Sequence, residues 1–236
     1  MSRPLRELGE VLGTVSAVLD TVQPVADAYA ELVASRRAAG RVPNHDDLAD
    51  LRGYICAVLL EHRHWVAGAG VVVTPGVLAD RPRWLEWWWL RGGRPEPLRV
   101  NLDETAADFF DYTSAEWYAL PAATGGRHAA GPYVDHLCTN QYSVTLTSPV
   151  RSDGELVGVV GADVLVSSLE AAVLPTLLAI GPDAALVTAD GRVVASASPD
   201  LAPGHRVDVA RRTTRRVLPR SRRVVGGVGD WLVTAD

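Results

Sequence analysis

Asp135 and Asp163 are the first residues of this sequence that could carry polar chemistry. Two carboxylates in one site could serve as acid and base on a small substrate. Taken singly, each could equally cap a turn beside a strand. His62 and His64 form a His-x-His pair that would hold a metal only with a third ligand such as Asp135 or His136. The plainer reading places them at the end of a helix, where partial negative charge favours them, and no metal is expected. Trp84, Trp87, Trp88 and Trp89 fall in one strand-like stretch. Alternation sends Trp87 and Trp89 to one face and Trp88 with Trp84 to the other. One face could line a pocket, and the rest pack sheet against helix. Seven of the 23 basic residues are arginines crowded between Arg211 and Arg223, a run expected to be a solvated loop rather than a nucleic-acid contact.

Composition removes several classes of function. No lysine occurs in the 236 residues, which excludes a Walker-type phosphate loop, a pyridoxal Schiff base and a lysine nucleophile. There is no Gly-x-Ser-x-Gly elbow and no His-Glu-x-x-His, and Gly68-Ala69-Gly70 lacks the third glycine of a dinucleotide fingerprint. The chain therefore reads as a non-enzyme without a cofactor. A net charge of -5 argues against nucleic acid or anionic membrane as the partner of the whole surface. Cys56 and Cys138 lack Cys-x-x-Cys spacing and indicate neither zinc nor a disulfide framework. No stretch approaches the length of an apolar membrane helix, so a soluble, cytoplasmic chain is expected.

Hydrophobic spacing indicates the elements that would position these residues. From Ser2 and Pro4, apolar or small residues recur at Leu5, Leu8, Leu12, Val15, Leu19, Val22, Ala26, Tyr29 and Val33. Steps of three and four describe a heptad-like helical seam, with a possible kink at Pro24. Asn44 is an N-cap candidate for a second amphipathic helix through Leu48, Leu51, Ile55, Val58 and Leu59 to about His62. The period then changes to that of strands: Val71 to Val73, Trp84 to Arg91, Leu98 to Leu102, and a hairpin of Tyr142 to Val150 with Glu155 to Val164 around Ser152-Asp153-Gly154. Residues 106 to 136 are mixed in character. Ser167 or Ser168 caps a helix through Leu178, followed by a hairpin of Ala184 to Val187 with Val193 to Ala197 and a last strand near Trp231 to Val233. The expectation is an α+β fold: a long N-terminal helix on an antiparallel PAS-like sheet, with an abbreviated β unit at the C-terminus. Its divisions are a helical segment 1–64, a ligand-binding module 65–181, and a partial β module with an arginine-rich tail 182–236.

Residues 109 to 170 resemble the Cache family of sensor domains, specifically the pocket-bearing module of double-Cache proteins. Trp117-Tyr118, Tyr133 and Asp135 in Gly-Pro-Tyr-Val-Asp, the strand ending in Ser148-Pro149-Val150, and Asp163 in Gly-Ala-Asp-Val follow in that family's order. Ala185 to Ala197 looks like the opening hairpin of the second module. The resemblance implies that Tyr133, Asp135 and Asp163 hold a ligand ammonium and that Trp117 and Tyr118 form the aromatic wall. Where amino-acid-binding members place an arginine for the ligand carboxylate, this chain has Ala115. An amine is thus implied in preference to an α-amino acid, unless Arg91, Arg127 or His128 substitutes.

Family members usually sit between two membrane helices. Here the output would pass through the chain's own surface, most simply the N-terminal helix. The expected reading is a sensor for a small cationic metabolite that signals by conformational or oligomeric change, with a homodimer through that helix. The alternative is a dimeric adaptor with a vestigial pocket, acting on a separate regulatory protein.

Overall fold

The computed structural model describes Gly13 and residues 17–136, 140–188, 190–208 and 231–234. Ser2, Pro4, Leu5, Leu8, Leu12 and Val15 of the seam, Cys138, and the arginine run 211–223 lie outside the described residues.

Helix α1 (Gln23–Ala38) opens with Pro24 in its first turn, following a helical stretch 17–21 and a turn at Val22. Pro24 therefore starts a helix rather than bending one, as its missing N–H allows only near an N-terminus. Val22, Val25, Ala26, Tyr29 and Val33 are all buried. A 3-10 helix (His45–Leu51) leads into α2 (Arg52–Glu61). Asn44 caps it as expected: its side chain accepts from the Asp47 N–H and Asp47 reciprocates.

Six antiparallel strands follow: β1 (Val66–Val73), β2 (Trp84–Arg91), β3 (Arg94–Pro97), β4 (His128–Val134), β5 (Tyr142–Ser152) and β6 (Glu155–Leu165), in the order β3-β2-β1-β6-β5-β4. The expected strand at Leu98 to Leu102 is not formed. Gly92 and Gly93, both at positive φ, turn the chain back at once, so Arg94 to Pro97 pair with β2 instead. Pro95 and Pro97 lack N–H groups and suit this edge. Between β3 and β4 stands α3 (Glu116–Thr124), in the region of mixed character. The β5–β6 hairpin turns through Asp153 and Gly154 with φ 52° and 81°, as a two-residue primed turn requires.

Helix α4 (Val166–Ile180) runs directly out of β6 without a side-chain cap. The expected serine caps are not used: Ser168 donates instead to the His64 carbonyl at 2.6 Å. The helix leads to a second, three-stranded sheet of β7 (Ala185–Thr188), β8 (Val193–Ser196) and β9 (Trp231–Thr234), ordered β8-β7-β9. No helix among the described residues is long and apolar enough to cross a membrane.

The large sheet separates two environments. On one face Ala69, Val71, Leu146, Ala162, Val164 and Trp88 join α1, α2 and α4 in the main core. Tyr29 anchors α1 there by donating to the Val157 carbonyl at 2.9 Å, and burial drives its phenol pKa far up. The described half of the predicted seam, from Leu19 to Val33, thus packs on the chain's own sheet. The other face carries a smaller apolar cluster of Val72, Leu85, Trp87, Val159 and two tyrosines, and the cavity opens on this side.

Candidate functional site

Register determines what faces the cavity. Asp163 on β6 lies opposite Gly68 on β1 and Thr145 on β5, so the three residues share one face of the sheet. Val72, opposite Val159 and Leu85, lies on the same face four residues further along β1. At about 3.3 Å per residue, that is about 13 Å from the Asp163 row.

Strand β4 reaches this face through a bulge. Ala130 pairs with Thr145, but Tyr133 pairs with Ser143, so one extra residue of β4 is accommodated around Gly131-Pro132. An unbroken register would send Tyr133 to the opposite face; the extra residue brings it to the side of Thr145.

The facing wall comes from the segment between β3 and α3. It is closed by the Phe110 N–H donating to the Asn101 carbonyl at 2.8 Å. Arg83 pins it by ion pairs to Glu104 at 2.7 Å and Asp111 at 3.2 Å. Leu98, Phe110, Ala115 and Trp117 are thereby set over the sheet.

The resulting cavity encloses about 270 Å³. One end carries the polar groups of Tyr133, Asp135, His136, Thr145 and Asp163, with Val134 among them; the remainder is lined by Val72, Leu85, Trp87, Leu98 and Phe110 with Ala115 and Trp117. Asp135 and Asp163 are both buried. Thr145 donates to Asp163 Oδ1 at 2.6 Å, and Tyr133 Oη meets Thr145 Oγ1 in a short contact. With the single threonine proton directed at the carboxylate, Tyr133 is the donor to Thr145. Trp87 also hydrogen-bonds Asp163. Burial, and secondarily the charge of Asp135, push the Asp163 carboxyl up to about 7, against the lowering effect of these two donors.

Of the residues singled out from the sequence, Trp117, Tyr133, Asp135 and Asp163 line this one cavity, and Ala115 lines it with them. Tyr118 does not. Its ring stands edge-on to Tyr112 with centroids 5.3 Å apart, and its hydroxyl donates to Thr74 Oγ1 at 3.2 Å. Trp87 takes the cavity face and Trp88 the core face, as alternation requires. None of the three candidate replacements for the missing arginine lines the cavity. Arg127 pairs with Asp20 at 2.7 Å, His128 with Glu116 at 3.0 Å, and Arg91 with Glu96 at 3.7 Å. Among the described residues, no group of three histidine, cysteine or acidic side chains is arranged to hold a metal.

Thr145 and Gly68 were not identified from the sequence. The signal for Thr145 was the alternation of Ser143, Thr145 and Thr147 with the apolar Val144 and Leu146 between them. A Cβ on Gly68 would stand 2.7 Å from Asp163 Oδ2 and 2.8 Å from Trp87 Nε1, so glycine leaves room for the carboxylate and its indole donor.

Comparison with known proteins agrees with this architecture. Residues 95–171 match the family described as methyl-accepting chemotaxis protein-like, first PDC sensor domain. No curated protein matches the chain in sequence. Among solved structures, the ligand-binding domain of the Campylobacter jejuni chemoreceptor Tlp3 in complex with L-norvaline is similar at TM-score 0.56 and 15% identity, over 89% of this chain and 76% of that one. The extracellular domain of the histidine kinase mmHK1S-Z2 is similar at TM-score 0.55 and 18% identity, over 83% and 72%. A protein described as methyl-accepting chemotaxis protein X gives TM-score 0.51 and 20% identity, over 81% and 77%. The chain thus has the α+β fold of Cache-like sensor domains, and the segment that forms the cavity wall, β4, β5 and β6 carries the sensor-domain match.

Proposed function

We propose that this chain, a Cache-like sensor domain in fold and in its cavity-forming segment, senses a small cationic metabolite, a protonated amine. The observation that carries this reading is one cavity lined by two buried carboxylates and aromatic rings, with no arginine among the described residues that line it. Two carboxylates out of water call for a cation or a shared proton, and an ammonium supplies the cation. Trp87, Trp117 and Tyr133 line the same cavity, and any ring that presents its face to the ammonium adds cation–π attraction of about 0.5–2 kcal/mol where water is excluded. The amino acid named with the chemoreceptor Tlp3, L-norvaline, carries a carboxylate as well as an ammonium. Here Ala115 offers a methyl group, and no arginine among the described residues lines the cavity to pair with a ligand carboxylate.

Sensing requires that the filled and empty states differ, since a ligand shifts an equilibrium only by its differential affinity. Strand β6 provides the connection. It carries Asp163 on the cavity face, and its Val157 carbonyl accepts from Tyr29 of α1. A change in the position of β6 on binding is therefore delivered to α1, whose packing is the output.

A thermal-shift comparison of each amine with its α-amino-acid counterpart tests the reading, because a ligand specific for the native state raises the midpoint by mass action. Amines alone should raise it, and Asp163→Ala should abolish the rise while the fold survives. An unaltered affinity in that variant would overturn the assignment.

A further inference from the structure

The cavity is polarised along the strands, and this narrows the ligand class beyond a cation. We infer that its occupant is a monoamine with an apolar tail, the ammonium at Asp163 and the tail running toward Val72 and Leu85. This inference rests on the amine-sensing reading and deepens it.

All the carboxylate and hydroxyl groups of the lining gather at one end. Asp163 and Thr145 lie in one cross-strand row, and the β4 bulge carries Tyr133 to the same side, with Asp135 two residues beyond. About 13 Å along β1 the row Leu85–Val72–Val159 is aliphatic. Leu98 and Phe110 line the cavity from the opposite wall, packed on the same apolar cluster. Leu98 is held there because its N–H donates to the Trp87 carbonyl at 2.8 Å, extending the β2–β3 pairing by one residue.

A ligand with one charged end matches this gradient. Its ammonium meets the carboxylates, and its methylenes replace water against Val72, Leu85 and Leu98, each strengthening binding about fourfold until the space is filled. A diamine of equal length brings a second ammonium to the aliphatic end. Among the described residues no acidic side chain lines that end, and the desolvation of the second charge goes uncompensated. The volume of about 270 Å³ limits the tail to a short chain or a single ring.

Calorimetric titration of the full chain with propylamine, hexylamine and hexamethylenediamine tests the inference. Hexylamine should bind at least about tenfold more tightly than propylamine, by the increment per methylene. It should also exceed hexamethylenediamine by at least about tenfold, the cost of an unpaired buried charge. Leu98→Asp, at a half-buried loop position, should reverse the order of hexylamine and hexamethylenediamine by placing an acid at the tail end. Equal affinities along the series, or a diamine preferred by the unaltered chain, would overturn the apolar-tail class and leave amine sensing standing. Failure of all three to bind would remove the amine reading and this inference with it.

Discussion

Thr145 donates the hydrogen bond of its one hydroxyl proton to Asp163 and accepts one from Tyr133, so three side chains act as a single polar unit at one end of the cavity. Replacing Thr145 with the near-isosteric Val removes a hydrogen bond to a charged group, worth about 1.5–3 kcal/mol. Amine affinity should fall roughly tenfold or more, and the Asp163 carboxyl should titrate still higher. The pH dependence follows from the same carboxyl, held up at about 7 against an ordinary 3.8. Between those values the folded chain keeps a proton that the unfolded chain has lost. The stability of the empty protein therefore declines as pH rises from about 4 to about 7 and levels off above. Ammonium binding favours the ionised form, so amine affinity weakens as pH drops below about 7. Asp135, Tyr133 and His136 are the other titratable groups lining the cavity, so the difference between the unaltered chain and Asp163→Asn isolates the Asp163 contribution. Melting curves across this range should show a shallower decline with pH in the variant; identical slopes would contradict the assignment.

At the scale of elements, β1 and β4 make opposite adjustments to the same end, one leaving out a side chain and the other adding a residue. Gly68 leaves the space that Asp163 and the Trp87 indole occupy. Gly68→Ala should cost about 1–3 kcal/mol of stability through overpacking and abolish amine binding, as read by denaturant melts and titration. Retained affinity would mean that the carboxylate does not need this place. Much of the sheet could be read from the sequence because its signals are local: alternation separates Trp87 from Trp88, and Asp153-Gly154 demands a tight hairpin. The β4 bulge could not be read this way, because Gly131-Pro132 shows a break in pairing without showing which face Tyr133 resumes on. Nor could the wall, since the course of 98–115 is set by Arg83 reaching Glu104 and Asp111, contacts 21 and 28 residues apart in sequence. Tyr118 shows the converse limit: the family resemblance set it beside Trp117 in an aromatic wall, but successive helical residues point in different directions.

Across the whole molecule, the sheet is a partition with α1, α2 and α4 on one side and the cavity, walled in part by α3, on the other. Strand β6 belongs to both sides, with Asp163 facing the cavity and Val157 bound to Tyr29. The seam residues Leu19 to Val33, which suggested a partner helix, are instead covered by the chain's own sheet. Leu19→Glu would therefore test the core rather than a dimer. A crystal structure of the chain grown with hexylamine would show whether a protonated amine occupies this cavity head-first at the two carboxylates. The ligand nitrogen should lie within about 3 Å of carboxylate oxygens of Asp135 and Asp163, with its carbons toward Val72 and Leu85. Hexylamine found elsewhere on the chain, or lying in the cavity with its nitrogen at the aliphatic end, would contradict it.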